Sequence, residues 1–248
     1  MNLKGNTIFI TGGGSGIGRG LAEALHKLGN QVIISGRRKA KLAETVAANP
    51  GMESVELDVE DPASIEAVAA HLIKAHPKLN VLINNAGIMK ADTAEGRVDD
   101  RLLVSTCTTN VLGPIRMTSA LIEHLKRQPS ATVAYVSSGL AFTPLALAAV
   151  YSSTKAAIHS YAMSQRYKLR GTSVRVLEIA PPRVQTDLLD SRDDPRAMAL
   201  ADYVRETVSI LGTDADEVLV ERVRPLRNNP GPGEAAFVTK FNDMASAP

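Results

Sequence analysis

The feature that most constrains this chain is a short apolar run that ends in glycines. Thr7-Ile8-Phe9-Ile10-Thr11 has the β-branched and aromatic make-up of a buried strand. It leads without a linker into Gly12-Gly13-Gly14-Ser15-Gly16-Ile17-Gly18. From Gly16 to Leu28, the apolar positions Leu21, Leu25 and Leu28 recur at helical spacing, and Gly29-Asn30 stops the pattern. Glycines in such a turn let the backbone approach a pyrophosphate. The helix that follows offers unpaired N–H groups and a partial positive charge at its start. Gly12, Gly14, Ser15, Gly16, Ile17 and Gly18 are therefore candidate nucleotide contacts. The spacing, Gly-x-x-x-Gly-x-Gly, differs from the commonest dinucleotide fingerprint, and Arg19-Gly20 in place of Lys-Ser/Thr excludes a P-loop.

The same alternation continues. Further strands are expected at Gln31–Ser35, Ser54–Leu57, Val81–Asn84, Thr132–Ser137 and Ser173–Ile179. Helical patterns lie between them at Lys39–Ala48, Pro62–Ala75, Asp99–Arg127 and Val150–Leu169, with Asp61-Pro62 as an N-cap followed by proline at the first helical position. Near-continuous apolar strands separated by helices predict a doubly wound parallel sheet of six or seven strands covered on both faces. The 248 residues read as one domain. Residues 187–212 form a region suited to a substrate loop and helix. Within it Asp187–Pro195 is charged and reads as mobile, and a helix is expected from Ala199 to Leu211. Residues 213–248 form an atypical C-terminal segment broken at Asn228–Gly233, with no strand placed after the break.

Composition removes several function classes. A net charge of +2 gives no basis for binding nucleic acid or an anionic membrane. No segment is long and apolar enough to span a bilayer, so the expectation is a cytoplasmic protein without membrane insertion. The single cysteine, Cys107, excludes an intrachain disulfide and a cysteine-cluster metal site, and reads as a buried apolar residue. The histidines show no metal-ligand spacing, so no metal is expected.

The end of the second strand bears on cofactor choice. A site for NAD usually places Asp or Glu there to bind the ribose 2′-hydroxyl. This chain has Ile33-Ile34-Ser35-Gly36-Arg37-Arg38, with no carboxylate. Arginine can hold a 2′-phosphate through paired charge-assisted hydrogen bonds. The expected cofactor is NADP(H), with Arg37 as the first contact and Arg38 as the second.

Tyr151-Ser152-Ser153-Thr154-Lys155 opens a helix and puts a tyrosine and a lysine on one face, one turn apart. A nearby ammonium favours the phenolate, which draws tyrosine toward use as an acid or base. Val133–Ser138 is a strand ending in serines, and ligands of parallel sheets sit beyond such ends. Ser138 is therefore placed to bind a carbonyl oxygen. Asn110 stands inside a helical pattern, where either a polar role in a site or a kink before Pro114 accounts for it.

Taken together, these residues resemble the short-chain dehydrogenase/reductase family over roughly residues 5–190. The resemblance rests on Thr11-Gly12-x-x-x-Gly16-Ile17-Gly18, Asp58-Val59, Asn84-Asn85-Ala86-Gly87, Asn110, Ser138 and Tyr151-x-x-x-Lys155. It implies a single-domain Rossmann fold and hydride transfer between nicotinamide and a carbonyl or alcohol substrate. In that family's terms Tyr151 is the general acid or base, Lys155 binds the nicotinamide ribose and tunes Tyr151, Ser138 orients the substrate oxygen, and Asn110 holds a relay water. Asp58 and Val59 would border the adenine, and Asn85, Ala86 and Gly87 would line the cofactor. The thirteen-residue gap to Tyr151 selects Ser138 over Ser137.

Two departures stand out. Pro181-Pro182-Arg183-Val184-Gln185-Thr186 replaces the usual Pro-Gly after the sixth strand, leaving Pro181, Val184 and Thr186 as nicotinamide contacts. With Val220–Arg227, this version is similar to the DltE-like subgroup. The C-terminus also lacks the usual final strand with paired glycines, which leaves a seventh strand in question. Relatives pair through long helices, so a homodimer or homotetramer through 99–127 and 150–169 is expected. Segments 88–96, 139–150 and 188–201 would shape the substrate site, the middle one apolar through Leu140, Phe142, Leu145 and Leu147. Two other functions remain compatible: a redox-sensing dinucleotide-binding regulator without turnover, and a non-redox epimerase or dehydratase. The complete Asn-Ser-Tyr-Lys set favours the oxidoreductase.

Overall fold

A computed structural model describes residues 1–92 and 94–246. At its centre is a wholly parallel seven-stranded sheet in the order β3-β2-β1-β4-β5-β6-β7. The strands are β1 (Thr7–Thr11), β2 (Gln31–Gly36), β3 (Glu53–Glu56), β4 (Leu79–Asn84), β5 (Ala131–Val136), β6 (Val174–Ile179) and β7 (Glu217–Val218). The helices are α1 (Gly16–Lys27), α2 (Lys39–Ala48), α3 (Pro62–Ala75), α4 (Asp100–Cys107), α5 (Gly113–Lys126), α6 (Ala149–Leu169), α7 (Leu200–Leu211), α8 (Arg224–Arg227) and α9 (Glu234–Ser246).

Strand periodicity decides which helix covers which face. Phe9, Ile33, Leu82, Val133 and Val176 point one way and pack on Ile65, Val68 and Leu72 of α3, Met117, Leu121 and Leu125 of α5, and Ile158 of α6. Their neighbours Ile8, Ile10, Val32, Ile34, Val81, Ile83 and Leu177 point the other way, onto Ala22 and Leu25 of α1, Leu42 of α2 and Leu211 of α7. With both faces covered, β1 and β5 are buried along their whole length, which is why they read as unbroken apolar runs. Strand order reverses between β1 and β4, and that switch point opens a crevice beyond the strands' carboxyl ends.

One element departs from the sequence expectation, and the structure gives form to three segments that the sequence left open. The helix expected over Asp99–Arg127 is divided by a π-helical turn at Thr108–Leu112. Pro114 has no N–H to offer the Asn110 carbonyl four residues earlier, so the α ladder cannot run through unbroken. Gly113 presses against the β3–α3 connection there: a Cβ on it would lie 2.9 Å from the Val59 carbonyl oxygen. A seventh strand does form, but as the two residues Glu217–Val218, which pair with Glu178 and Ile179. The segment after Asn228–Gly233 is a helix, α9. Asp187–Pro195 contains a 3-10 turn at Leu188–Asp193, fastened by an Arg183–Asp194 ion pair of 2.6 Å and by the Arg192–Asp187 pair. Among the described residues, no helix is long and apolar enough to cross a membrane.

Candidate active site

A cavity of about 830 Å³ lies at the carboxyl ends of the strands, within the size range of a small-molecule or cofactor site. Gly12, Gly14, Ser15, Gly16, Ile17, Gly18, Arg37, Arg38, Val59, Asn85, Ala86, Gly87, Ser138, Tyr151, Lys155, Pro181, Val184 and Thr186 all line it. Asp58 and Asn110 stand behind the wall.

At the glycine turn, Gly12 has φ +69°, and a Cβ there would sit 2.9 Å from the Ala86 Cα. Only glycine combines that left-handed backbone with so close an approach. Gly18 is equally confined, since its Cβ would meet the Gly12 carbonyl oxygen at 2.3 Å. Thr11 and Asn85 bind the turn to the end of β4. The Thr11 hydroxyl accepts from the Asn85 and Ala86 N–H groups at 3.0 Å, and Asn85 Nδ2 donates to the Thr11 and Gly12 carbonyls. Ser15 caps α1 without a side-chain hydrogen bond to the helix backbone, and no acid stands in the first turn. The helix start therefore keeps its positive end open toward an anion.

Both arginines after β2 line the same end of the cavity, in different ways. Arg38 Nη2 donates to Ser15 Oγ at 2.7 Å, directly over the glycine turn. Arg37 is drawn aside by Glu60, 3.2 Å away, which also accepts from the Thr109 hydroxyl at 2.8 Å. Asp58 is turned into the β3–α3 loop, where its carboxylate accepts from the Glu60 N–H at 2.9 Å and its own N–H donates to Ser64 Oγ. Its neighbours Leu57 and Val59 form the wall instead.

On the opposite side, Ser138 follows β5, and Tyr151 and Lys155 lie on α6. All three are buried. Lys155 Nζ donates to the Val136 carbonyl at 2.8 Å and lies 5.5 Å from the centre of the Tyr151 ring. Burial pushes the Tyr151 phenol up to about 12, with a hydrogen bond from Ser138 acting the other way. Burial also draws the Lys155 ammonium down to about 8, with the negative charge of Glu178 opposing it. The expected lowering of the tyrosine by the lysine is thus not seen in the chain alone: desolvation of the phenolate dominates.

Asn110 sits in the π turn, almost wholly buried. Its Oδ1 accepts from the Ile88 N–H, and its Nδ2 donates to the Ile88 carbonyl and to Thr154 Oγ1. It ties the strand-end residues 87–88 to α6, one position before Lys155.

Several site residues carry no sequence signal of the kind used above. Asp92 Oδ2 accepts from the Val150 N–H at 3.0 Å, at the start of the helix that presents Tyr151. Arg183 and Arg196 line the cavity, and both pair with Asp194. Leu226, Phe241 and Met244 join Leu140, Leu145 and Leu147 in an apolar wall. Phe241 and Met244 share one face of α9 at helical spacing, the only local hint that this tail packs inward. Within the expected substrate segment 88–96, Thr93 lies outside the described residues.

Comparison with known proteins agrees with this geometry. Residues 6–197 match the short chain dehydrogenase family. The chain is 41% identical over 234 residues to the uncharacterized oxidoreductase DltE of Bacillus subtilis (strain 168), covering 92% of this chain and 93% of that protein. A short chain dehydrogenase from Burkholderia cenocepacia J2315, crystallised in complex with NADP, superposes with a TM-score of 0.83 at 25% identity and full coverage of both chains. The 3-ketoacyl-(acyl-carrier-protein) reductase of Brucella melitensis, complexed with NADH, superposes with a TM-score of 0.80 at 26% identity, covering 90% of this chain and 100% of that one. The match over most of the chain and the shared parallel sheet place it in one lineage: the chain belongs to the short-chain dehydrogenase/reductase family of oxidoreductases.

Proposed function

We propose that this protein is an NADP(H)-dependent oxidoreductase that reduces a carbonyl group on a partly apolar small molecule. The observation that carries the reading is the convergence of Ser138, Tyr151 and Lys155 on one wall of a cavity whose far end holds the open start of α1 and two arginines but no strand-end carboxylate.

The residues suit a dinucleotide. Gly12 and Gly18 leave room that a side chain would fill, and α1 offers its N–H groups. Arg38, already over Ser15, is the first candidate for the 2′-phosphate, with Arg37 beside it. This reverses the order expected from sequence, because Glu60 competes for Arg37. Leu57 and Val59 would flank the adenine, with Asp58 shaping their loop. Asn85, Ala86, Gly87, Pro181, Val184 and Thr186 would line the path to the nicotinamide. When bound, the nicotinamide supplies or accepts the hydride.

The chain's own residues handle the oxygen. Ser138 donates a hydrogen bond that fixes the carbonyl. Tyr151, kept protonated at neutral pH by burial, gives its proton to that oxygen as negative charge develops. Lys155 holds positive charge next to the phenol, and Asn110 keeps Ile88 and Thr154 in register with it. A protonated tyrosine is the form suited to reduction. The apolar wall of Leu140, Leu145, Leu226 and Phe241 favours a ketone or aldehyde with hydrophobic surface. A soluble cytoplasmic homo-oligomer is the setting that the charge balance and the exposed helix faces support.

The test is a fluorescence titration of the protein with NADPH and with NADH, using Arg38→Ala and Arg37→Ala alongside, followed by a screen of carbonyl compounds. Preference for NADPH, lost in Arg38→Ala, and turnover that disappears in Tyr151→Phe are expected. Equal affinity for both nucleotides would refute the 2′-phosphate assignment. NADPH binding without turnover of any carbonyl would favour a redox-sensing regulator.

A further inference from the structure

Behind the Ser138 wall lies a second set of polar residues that the proposed chemistry does not use. Glu178 sits near the end of β6 and is completely buried. Parallel strands covered on both faces rarely carry a carboxylate, and a buried one needs partners. Glu178 has two. Its Oε1 accepts from Ser137 Oγ at 2.5 Å, and its Oε2 lies 2.7 Å from His159 Nδ1. His159 stands four residues beyond Lys155 on α6, and Lys155 stands four beyond Tyr151, so the three share a face of one helix. The His159 ring also meets the Phe142 ring edge to face, 4.9 Å between centres, just past Ser138.

Both Lys155 and Glu178 act on the same few residues leaving β5. Lys155 Nζ holds the Val136 carbonyl, Glu178 holds the Ser137 hydroxyl, and Ser138 is next in the chain. The titratable groups around Glu178 are Lys155 and His159 from α6, Glu217 from β7 and Arg227 from α8. Arg227 is committed to Glu217 through two hydrogen bonds of 2.8 and 3.1 Å. His159, Glu178 and Glu217 come within 4.8 Å of one another, but with Arg227 on Glu217 and Ser137 on Glu178 the cluster already holds its own cation and donor. That leaves Lys155 as the cation on the catalytic side whose charge Glu178 supports.

We propose that Glu178, anchored by Ser137 and His159, is a positioning residue for the Tyr151–Lys155 pair: it fixes the exit of β5 that carries Ser138 and sets a buried carboxylate behind Lys155. This rests on the catalytic reading of Lys155 given above. The negative charge of Glu178 opposes the downward pull of burial on Lys155, in keeping with the geometry.

The direct test follows Lys155 by NMR of protein labelled at lysine Cε, its signal assigned by its loss in Lys155→Arg. Glu178→Gln keeps the shape and the hydrogen-bond acceptor but removes the charge. The Lys155 titration midpoint is expected to fall by about one pH unit in Glu178→Gln and to stay near the wild-type value in Glu178→Asp. Glu178→Met removes the charge with a side chain of similar length and should lower the midpoint in the same direction. It decides the matter if Glu178→Gln does not fold. An unchanged midpoint in a folded variant that has lost the charge overturns the proposal. The measurement needs no turnover, so it stands apart from the test of function: failure of the wild type to bind NADPH or reduce any carbonyl would remove the catalytic reading itself.

Discussion

Tyr151 and Lys155 are both removed from water in the same small volume, and desolvation presses on each in the direction that neutralises it. The consequence is a phenol that stays protonated and a lysine that titrates near the working range. Tyr151→Phe should lose carbonyl reduction by at least about 10²-fold while NADPH still binds, as single-turnover rates and fluorescence titration would show. Lys155 adds a pH dependence. Below about 8 it is an ammonium, and above that value it becomes a neutral amine that no longer supports charge on the phenol. The kcat/KM for reduction should therefore be level toward neutral pH and fall as pH rises through about 8. A profile flat to pH 10 would show that the charge on Lys155 is irrelevant. These residues were legible in the sequence because their chemistry is local: one helical turn separates them. The sequence placed Arg37 before Arg38, and the Arg37–Glu60 pair was not legible there, because Glu60 reaches Arg37 from the next connection but one in the chain.

Elements longer than a few residues announced themselves through periodicity, and the ones that did not are those too short or too dependent on tertiary context. The six long strands and helices α2 and α3 follow from their patterns almost residue for residue. Strand β7 does not, because two residues carry no period. The π turn escapes for another reason. Pro114 signals a break, but only the packing of Gly113 on Val59 and the bonds of Asn110 to Ile88 determine its form. Asn110→Ala would leave the half-buried Ile88 N–H without its acceptor. It should lower stability by about 1–3 kcal/mol, measured by urea unfolding. Loss of activity without any loss of stability would mean that Asn110 acts on the chemistry and not on the frame. Helix α9 was not placed from the sequence, because what Phe241 and Met244 pack on is set by tertiary context. Asn242 fixes it to the loop after Ser138 by donating to the Pro144 carbonyl and accepting from the Ala146 N–H. Ending the chain after Gly233 should raise KM for an aliphatic ketone about tenfold and leave NADPH affinity unchanged. An unaltered KM would show that Phe241 and Met244 are not part of the substrate wall.

For the molecule as a whole, the informative residues are the apolar ones left on the outside. The large hydrophobic side chains exposed among the described residues include Leu103 and Val104 of α4, Leu112 of the π turn, and Met163 and Tyr167 of α6. Helices α4 and α6 are neighbours, so these residues stand on two adjacent helices. Single exposed leucines need no explanation, but several large apolar side chains on two adjacent helices suit an interface. Two copies meeting through the same face would pair α4–α5 and α6 with their equivalents about a two-fold axis, in a self-complementary contact. Such an interface would also brace α6, the helix that carries Tyr151, Lys155 and His159, from the side opposite the sheet. The protein should therefore sediment as a dimer or tetramer at micromolar concentration. Val104→Lys combined with Tyr167→Asp, both at exposed positions, should shift it to a smaller species while leaving the fold intact by circular dichroism. If assembly also stiffens α6, the smaller species should lose part of its activity, and raising its concentration should restore it. A wild-type protein that sediments as a monomer would leave the exposed face of α4 and α6 without this role, and the orientation of Tyr151 would then rest on Asp92 and the sheet alone.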